Sequence, residues 1–338
     1  MEFSVDDMVS MTAVQTAYYL DKRNLRGKGL FVRNFFANDD EHVAAEFSTL
    51  LGRPVTCERV PTFLGRNEVF VINGDLIAKI FHVSPKQRQQ TEVAWLRFFE
   101  ARDLPAPRYV AHGQSSDTFI WLLQTRLDGH PLEDRPVDSA KEGASVYYSV
   151  GQLLARLHQT PVSELPAEML RLSLADRWDG LRSRLEGKVV VQIPAIRAAI
   201  ERLDRTDLSS SASHFTFSHR DFSARNFMVR EAKQKLAFVG LIDFERSIIG
   251  DPWLDLMTLT FKTFVKTPVL FGPFCDGFGR ERTFELIEHP LMMACTLLEV
   301  LQIASWAIQD DRAYFDEALA YLDAYQRGEV TRRLKRAT

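Results

Sequence analysis

Phe217-Ser218-His219-Arg220-Asp221-Phe222-Ser223-Ala224-Arg225-Asn226, with Leu241-Ile242-Asp243-Phe244-Glu245 downstream, is the stretch that decides how this chain reads. It sets out an Asp, an Asn five residues later, and a second Asp twenty-two residues after the first. Each polar cluster adjoins an apolar run, Phe215 to Phe217 before His219 and Leu236 to Ile242 before Asp243. Such runs predict buried strands, so the three polar groups stand at strand ends, where they can be held rigidly around one site. Phosphoryl transfer needs such a set. A carboxylate orients the acceptor hydroxyl and takes its proton, while an Asn/Asp pair holds Mg²⁺ on the nucleotide phosphates. Taken singly, Asp-x-x-x-x-Asn is an ordinary loop with side-chain-to-backbone bonds, and Gly-Asp-Pro is an ordinary turn. Their order along one chain is what carries the signal.

His-Arg-Asp-x-x-x-x-Asn followed by an Asp that ends a hydrophobic strand is the arrangement of the protein-kinase-like fold. The chain resembles more closely the aminoglycoside phosphotransferase family of kinase-like small-molecule kinases. The residues that carry this are Ile242-Asp243-Phe244-Glu245 and Gly250-Asp251-Pro252-Trp253-Leu254-Asp255-Leu256. The resemblance spans residues 55 to 330 or so and implies an α+β, two-lobed protein-kinase-like fold, with an antiparallel-sheet N-lobe and a mainly helical C-lobe. Residues 1–54 then form a partly helical N-terminal extension, 55–124 the nucleotide-binding N-lobe, and 125–338 the C-lobe with catalytic loop, metal site and acceptor site. It also implies that Asp221 is the base, that Asn226 and Asp243 are metal ligands, and that His219 supports the loop from beneath. Asp251 and Asp255 are expected to fix the catalytic loop and the helix that follows. Arg220 stands where these small-molecule kinases mostly carry Gly. Arg225 either faces the phosphates or pairs with Glu245.

Bulk composition sets the frame. A chain of 338 residues is long for one compact domain and suggests two. A hydrophobic content of 46% with 26% charged residues fits a globular protein with a sizeable core. The net charge of −3 argues against a general nucleic-acid binder. Cys57, Cys275 and Cys295 are odd in number and widely spaced, as expected of reduced cytosolic thiols. The acidic N-terminus lacks signal-peptide order, and Leu291 to Ile308 is interrupted by Glu299, Gln302 and Ser305, so it reads as a buried or amphipathic helix rather than a membrane span. A cytoplasmic location follows as the expectation.

Ahead of the catalytic stretch, Val43 to Leu51 has helical spacing, ended by Gly52-Arg53-Pro54. Strands are expected over Val55 to Val60, Glu68 to Ile72 and Leu76 to Phe81, with Asn73-Gly74 as a hairpin turn. The loop carrying Gly65 and Asn67 can lay backbone N–H groups over phosphates, although there is neither a Gly-x-Gly-x-x-Gly nor a P-loop motif. Lys79 lies among apolar strand residues, where a charge needs a partner. After Ser84-Pro85, a helix start, Glu92 shares one helical face with Trp95, Leu96 and Phe99, so a Lys79–Glu92 ion pair on the α/β-phosphates is expected. Phe119 to Leu123 is continuously apolar, hence a central strand. In the family the segment after it is the hinge, so by resemblance the Thr125 carbonyl and Leu127 amide read the nucleotide base.

Beyond the hinge the chain becomes helical. Val150, Leu153, Leu154 and Leu157 form a stripe ending at His158, which reads as a hydrogen-bonded core histidine. Residues 174–187 and 195–205 are further amphipathic stretches, and Trp253 to Thr338 is helical. From Trp253 to Gln326 eleven acids face five Lys/Arg, a balance of −6 that would attract a cationic acceptor.

The function expected is transfer of the γ-phosphoryl group of Mg²⁺-bound ATP or GTP to a hydroxyl of a small molecule, first among them an aminoglycoside or aminocyclitol antibiotic. A metabolite kinase of the same fold, acting on choline, homoserine or a sugar, is the alternative. A protein kinase is disfavoured by Glu245 in place of the Gly of Asp-Phe-Gly and by the missing Ala-Pro-Glu. A catalytically dead module is disfavoured because Lys79, Asp221, Asn226 and Asp243 are all present.

Overall fold

The computed structural model describes residues 40–61, 67–82, 85–114, 119–134, 137, 140–232 and 235–338. The chain divides into two compact units, one of Met1–Gln89, Val110–Arg126 and Trp306–Asp316, the other of Gln90–Tyr109, Leu127–Ser305 and Glu317–Thr338. Gly65 and Ser84, singled out above, lie outside the described residues.

The first unit is built on a sheet. Helix α1 (Asp40–Leu51) precedes strands β1 (Cys57–Val60), β2 (Asn67–Ile72) and β3 (Leu76–Phe81). Helix α2 (Pro85–Ala101), which belongs to the second unit from Gln90 on, follows, then β4 (Tyr109–Gln114) and β5 (Ile120–Thr125). The strand order is β1-β2-β3-β5-β4, and the pairs β1–β2, β2–β3 and β3–β5 are antiparallel. The apolar run of β5 is interior, with Ile120 to Gln124 all buried. Asn73 and Gly74 turn the chain between β2 and β3 with φ of 52° and 81°, the left-handed pair that a primed hairpin turn requires. Val43 and Phe47, four residues apart and so on one face of α1, pack with Phe70, Ile72, Ala78, Ile80, Trp121 and Leu123. Phe47 meets Trp121 edge-on at 5.4 Å. Glu68, 1% exposed on β2, is compensated by Arg59 and by His82 Nε2 at 3.0 Å.

The second unit carries β6 (His130–Pro131), α3 (Ala140–Gln159), β7 (Arg171–Leu172), α4 (Leu174–Leu185), α5 (Pro194–Asp204), β8 (Thr216–Ser218), β9 (Phe227–Ala232), β10 (Lys235–Leu241) and β11 (Ile248–Gly250). Helix α6 (Trp253–Leu259) runs into a π turn (Thr260–Phe264), followed by α7 (Phe271–Phe278), α8 (Arg280–Glu288), α9 (Pro290–Asp310), α10 (Arg312–Gln326) and α11 (Glu329–Arg336). The strands form two small sheets, β10-β9-β6 and β7-β11-β8. Ser173 starts α4 with a reciprocal capping box, its Oγ accepting from the Asp176 N–H and its own N–H donating to the Asp176 carboxylate at 2.8 Å. Pro290–Ala307 is long and apolar enough to cross a membrane, but 67% of that window is buried within the protein, as expected of a core helix.

Helix α3 crosses α7 at backbone contact. A Cβ on Gly277 would stand 2.0 Å from the Tyr148 carbonyl oxygen, and one on Gly151 2.4 Å from that of Phe274. The stripe predicted on α3 is buried, and at its end His158 is a core residue. The expectation that it is hydrogen-bonded is not met. Neither ring nitrogen has a hydrogen-bond partner among the described residues, because the ring is enclosed beside Phe278, edge-on at 5.5 Å. Burial, with the nearby Arg282 charge, pushes its pKa down to about 3. In the unfolded chain the imidazole takes a proton near its ordinary 6.5, whereas the native one does not until about 3. Stability is therefore complete above pH 6.5 and falls as pH drops, by about 1.4 kcal/mol per unit through this residue. His158→Phe is expected to remove that slope, so urea midpoints of variant and wild type should diverge from pH 7 to pH 4.5. Parallel midpoints would contradict the buried neutral ring.

Candidate active site

The loop that carries Asp221 is fixed by what packs beneath it. On α2, Trp95, Leu96 and Phe99 are fully buried. Trp95 meets Phe217 edge-on at 4.7 Å, and Phe99 lies 4.6 Å from Phe244. These contacts tie the helix to the strand ends that flank the loop. One turn before Trp95 on the same face is Glu92, 1% exposed. Its carboxylate, with those of Asp243 and Glu245, forms a group whose ligand oxygens lie within 4.8 Å of one another.

The loop is held from two directions. Asp255, fully buried on α6, accepts the His219 N–H at 2.8 Å, the Arg220 N–H at 2.9 Å and the Ser218 hydroxyl at 3.5 Å. Burial pushes its pKa up to about 7 against those donors. His219, also fully buried, engages the Ile242 carbonyl through Nε2 at 2.9 Å, and the Ile242 N–H donates to the Asn226 carbonyl at 3.1 Å. The loop and the Asp243 segment are therefore joined at both backbone and side-chain level. Asp251, buried just ahead of α6, has its pKa pushed up to about 6 by burial, opposed by Arg177 and Ser211.

Two residues here have left-handed backbone, Arg220 at φ 66° and Asp243 at φ 70°. Glycine adopts that region freely and other residues at a cost, which gives a physical reason for the Gly of the resembling kinases at position 220. Strain of this kind persists where the surroundings over-determine it, and at Arg220 Asp255 does so. The Arg220 side chain gains little in return. Burial, then the like charges of Arg246 and Arg177, push its guanidinium down to about 10.

Asp221 is 17% exposed. Asn226 donates its Nδ2 to the Asp221 carbonyl at 2.8 Å, which directs the amide oxygen of Asn226 elsewhere. Burial alone would push the Asp221 carboxyl up, but Lys262 and Arg225 outweigh it and hold it well below the usual range. Lys262 Nζ donates to Asp221 Oδ1 at 2.8 Å, and Arg225 lies 3.8 Å from Oδ2. Arg225 thus reaches the Asp221 carboxylate, a contact the sequence did not suggest. Lys262 was missed. It lies seven residues beyond Asp255, two turns along the helix, but that spacing alone does not tell that this face meets the loop.

The remaining predicted residues belong to the first unit or its boundary. Lys79 is 6% exposed on β3, with Nζ 5.3 Å from the Phe81 ring centre, while Asn67 begins β2 opposite Phe81 and Thr125 ends β5 opposite Leu76. Leu127, first residue of that stretch of the second unit, approaches Gly240 so closely that a Cβ there would lie 2.9 Å from Leu127 Cδ1. For a divalent cation, the amide oxygen of Asn226 and the carboxylate of Asp243 are the hard oxygen donors that magnesium takes. The group fits these residues.

Comparison with known proteins bears on this geometry. The phosphotransferase enzyme family (APH) matches residues 65–285. The chain belongs to that family. No curated protein shows a significant match. Among solved structures, the APH chain resembles a GDP complex of an aminoglycoside 2′-phosphotransferase-IIIa mutant, with 17% identity and a TM-score of 0.67 over 87% of this chain and 100% of that one. A gentamicin complex of APH(2″)-IIa is 18% identical, with a TM-score of 0.60 over 85% and 97%. A ternary complex of APH(4)-Ia with AMP-PNP and hygromycin B is 16% identical, with a TM-score of 0.58 over 87% and 98%. At these identities the likeness establishes the kinase-like α+β fold. Membership of the family makes this APH chain a nucleotide-using phosphotransferase with an alcohol acceptor.

Proposed function

We propose that this enzyme transfers the γ-phosphoryl group of ATP or GTP to a hydroxyl of an aminoglycoside or aminocyclitol antibiotic. The observation that carries the reading is Asp221, an ionised carboxylate on a loop anchored by Asp255 and bonded to Asn226. Asp221 orients the acceptor hydroxyl and takes its proton as the oxygen–phosphorus bond forms, and the nucleoside diphosphate leaves with the electron pair. Asn226 and Asp243 are assigned to Mg²⁺, which when bound neutralises phosphate charge. Lys79, Glu92, Gly65, Asn67, Thr125 and Leu127 are assigned to the nucleotide, His219, Asp251 and Asp255 to support of the loop. The reading places the enzyme in the cytoplasm, where nucleoside triphosphates are made.

Support for the antibiotic acceptor comes from the gentamicin and hygromycin B complexes of similar structures and the −6 balance between Trp253 and Gln326. A second reading, a metabolite kinase, is favoured for a sugar acceptor by Lys262 and Arg225 at Asp221, since two cations there repel any ammonium next to the reacting hydroxyl and a sugar carries none. The test is nucleoside diphosphate release with Mg·ATP and Mg·GTP over a panel of kanamycin, gentamicin, hygromycin B, glucose, choline and homoserine, with product mass confirmed. Release stimulated by an antibiotic supports the first reading, and by glucose, choline or homoserine without an antibiotic the second. Peptide labelling without either would refute both.

A further inference from the structure

We infer that Lys262 is a positioning residue for Asp221, holding the carboxylate so that Oδ2 is the oxygen presented to the acceptor hydroxyl. The inference rests on the kinase reading above and adds a residue to it. One helical face reaches the catalytic loop twice. Asp255 takes the backbone N–H groups of His219 and Arg220, and two turns later Lys262 takes the side chain of the next residue, Asp221, at 2.8 Å. On the carboxylate, Oδ1 is occupied by Lys262 and by the Ser223 hydroxyl at 3.3 Å. Among the described residues, Oδ2 has only the longer 3.8 Å approach of Arg225. With Oδ1 fixed, rotation of the carboxylate about its Cβ–Cγ bond is restricted and Oδ2 keeps one direction.

The backbone beneath Lys262 is specialised as well. Residues Thr260–Phe264 form a π turn closed by the Val265 N–H donating to the Thr260 carbonyl at 3.0 Å. Thr258 and Thr260 bond back to the carbonyls of Leu254 and Leu256 at 2.9 and 2.8 Å. Wide turns of this kind recur at functional sites, and Ser/Thr back-bonding bends helices. Lys262 sits at the middle of that turn with 27% of its side chain exposed. A lysine needed only for solubility has no reason to be drawn onto a carboxylate that is largely covered.

The proton follows from this geometry. The acceptor O–H bond breaks as the oxygen–phosphorus bond forms, the proton passes to Oδ2, and the electron pair of the cleaved bond leaves with the nucleoside diphosphate. Steady-state kinetics with Mg·ATP and the most active acceptor of the panel test the assignment, using Lys262→Met, Lys262→Arg, Asp221→Ala and the Asp221→Ala/Lys262→Met pair. Lys262→Met is expected to lower kcat roughly 10- to 100-fold, as for a displaced catalytic group, with KM for ATP and thermal midpoint unchanged. Lys262→Arg should restore much of the rate. In the Asp221→Ala background, Lys262→Met should have no further effect. A wild-type rate that survives Lys262→Met intact overturns the inference alone, as does an undiminished effect in the Asp221→Ala background. No turnover by wild-type protein with any acceptor overturns the kinase reading, and the inference with it.

Discussion

Asp221→Ala is expected to lower turnover by roughly 10²–10⁴-fold, the range of a positioned general base, which is about 3–5 kcal/mol of transition-state stabilisation. The loss should fall on kcat, with nucleotide affinity retained. The reason is local. The Asp221 side chain meets Lys262, Ser223 and Arg225, and the loop backbone is held by Asp255 and Asn226, which alanine leaves in place. Titration with a fluorescent ATP analogue beside steady-state rates separates the two effects. A variant that turns over within a few-fold of wild type removes the base assignment, and one that no longer binds nucleotide shows that the residue does something else.

The second large effect concerns stability. Gly277→Ala is expected to destabilise the protein by about 3 kcal/mol, at the upper end of typical overpacking. The new methyl would lie 2.0 Å from the Tyr148 carbonyl oxygen, a backbone atom that cannot swing away. The two helices must separate, which opens gaps along the crossing, and the gain of about 1 kcal/mol that alanine brings to a helix interior does not offset this. Gly180 supplies the control. It lies in α4, nothing approaches within 4 Å of its would-be Cβ, and Gly180→Ala should stabilise by about 0.5–1 kcal/mol. Urea midpoints of the two variants should move in opposite directions. A Gly277→Ala protein as stable as wild type would mean that the helices are not in backbone contact.

What the sequence made legible follows from how local each feature is. Asp221, Asn226 and Asp243 stand within a few residues of apolar runs that become strand ends, so type and spacing sufficed to group them. The β2–β3 hairpin was legible because Asn73-Gly74 carries the left-handed preference in its own chemistry. Lys262 was not, since its meeting with Asp221 spans 41 residues and depends on where α6 lies against the loop. The missing partners of His158 were invisible for a related reason. A buried histidine ordinarily finds a hydrogen bond, and only the surrounding rings show that this one has none among the described residues. Nor does anything around Gly151 or Gly277 in the sequence announce that the two glycines face each other's helices. Pairwise encounters between distant helices leave no periodic trace.

The carboxylate of Asp255 has one more consequence. Because it grips two consecutive peptide N–H groups from a helix more than thirty residues along, those amides should be among the last in the protein to exchange with deuterated solvent. New acceptor range would then have to arise in segments outside that grip. An inhibitor aimed at the Asp221 loop meets a single backbone shape, fixed before any ligand arrives.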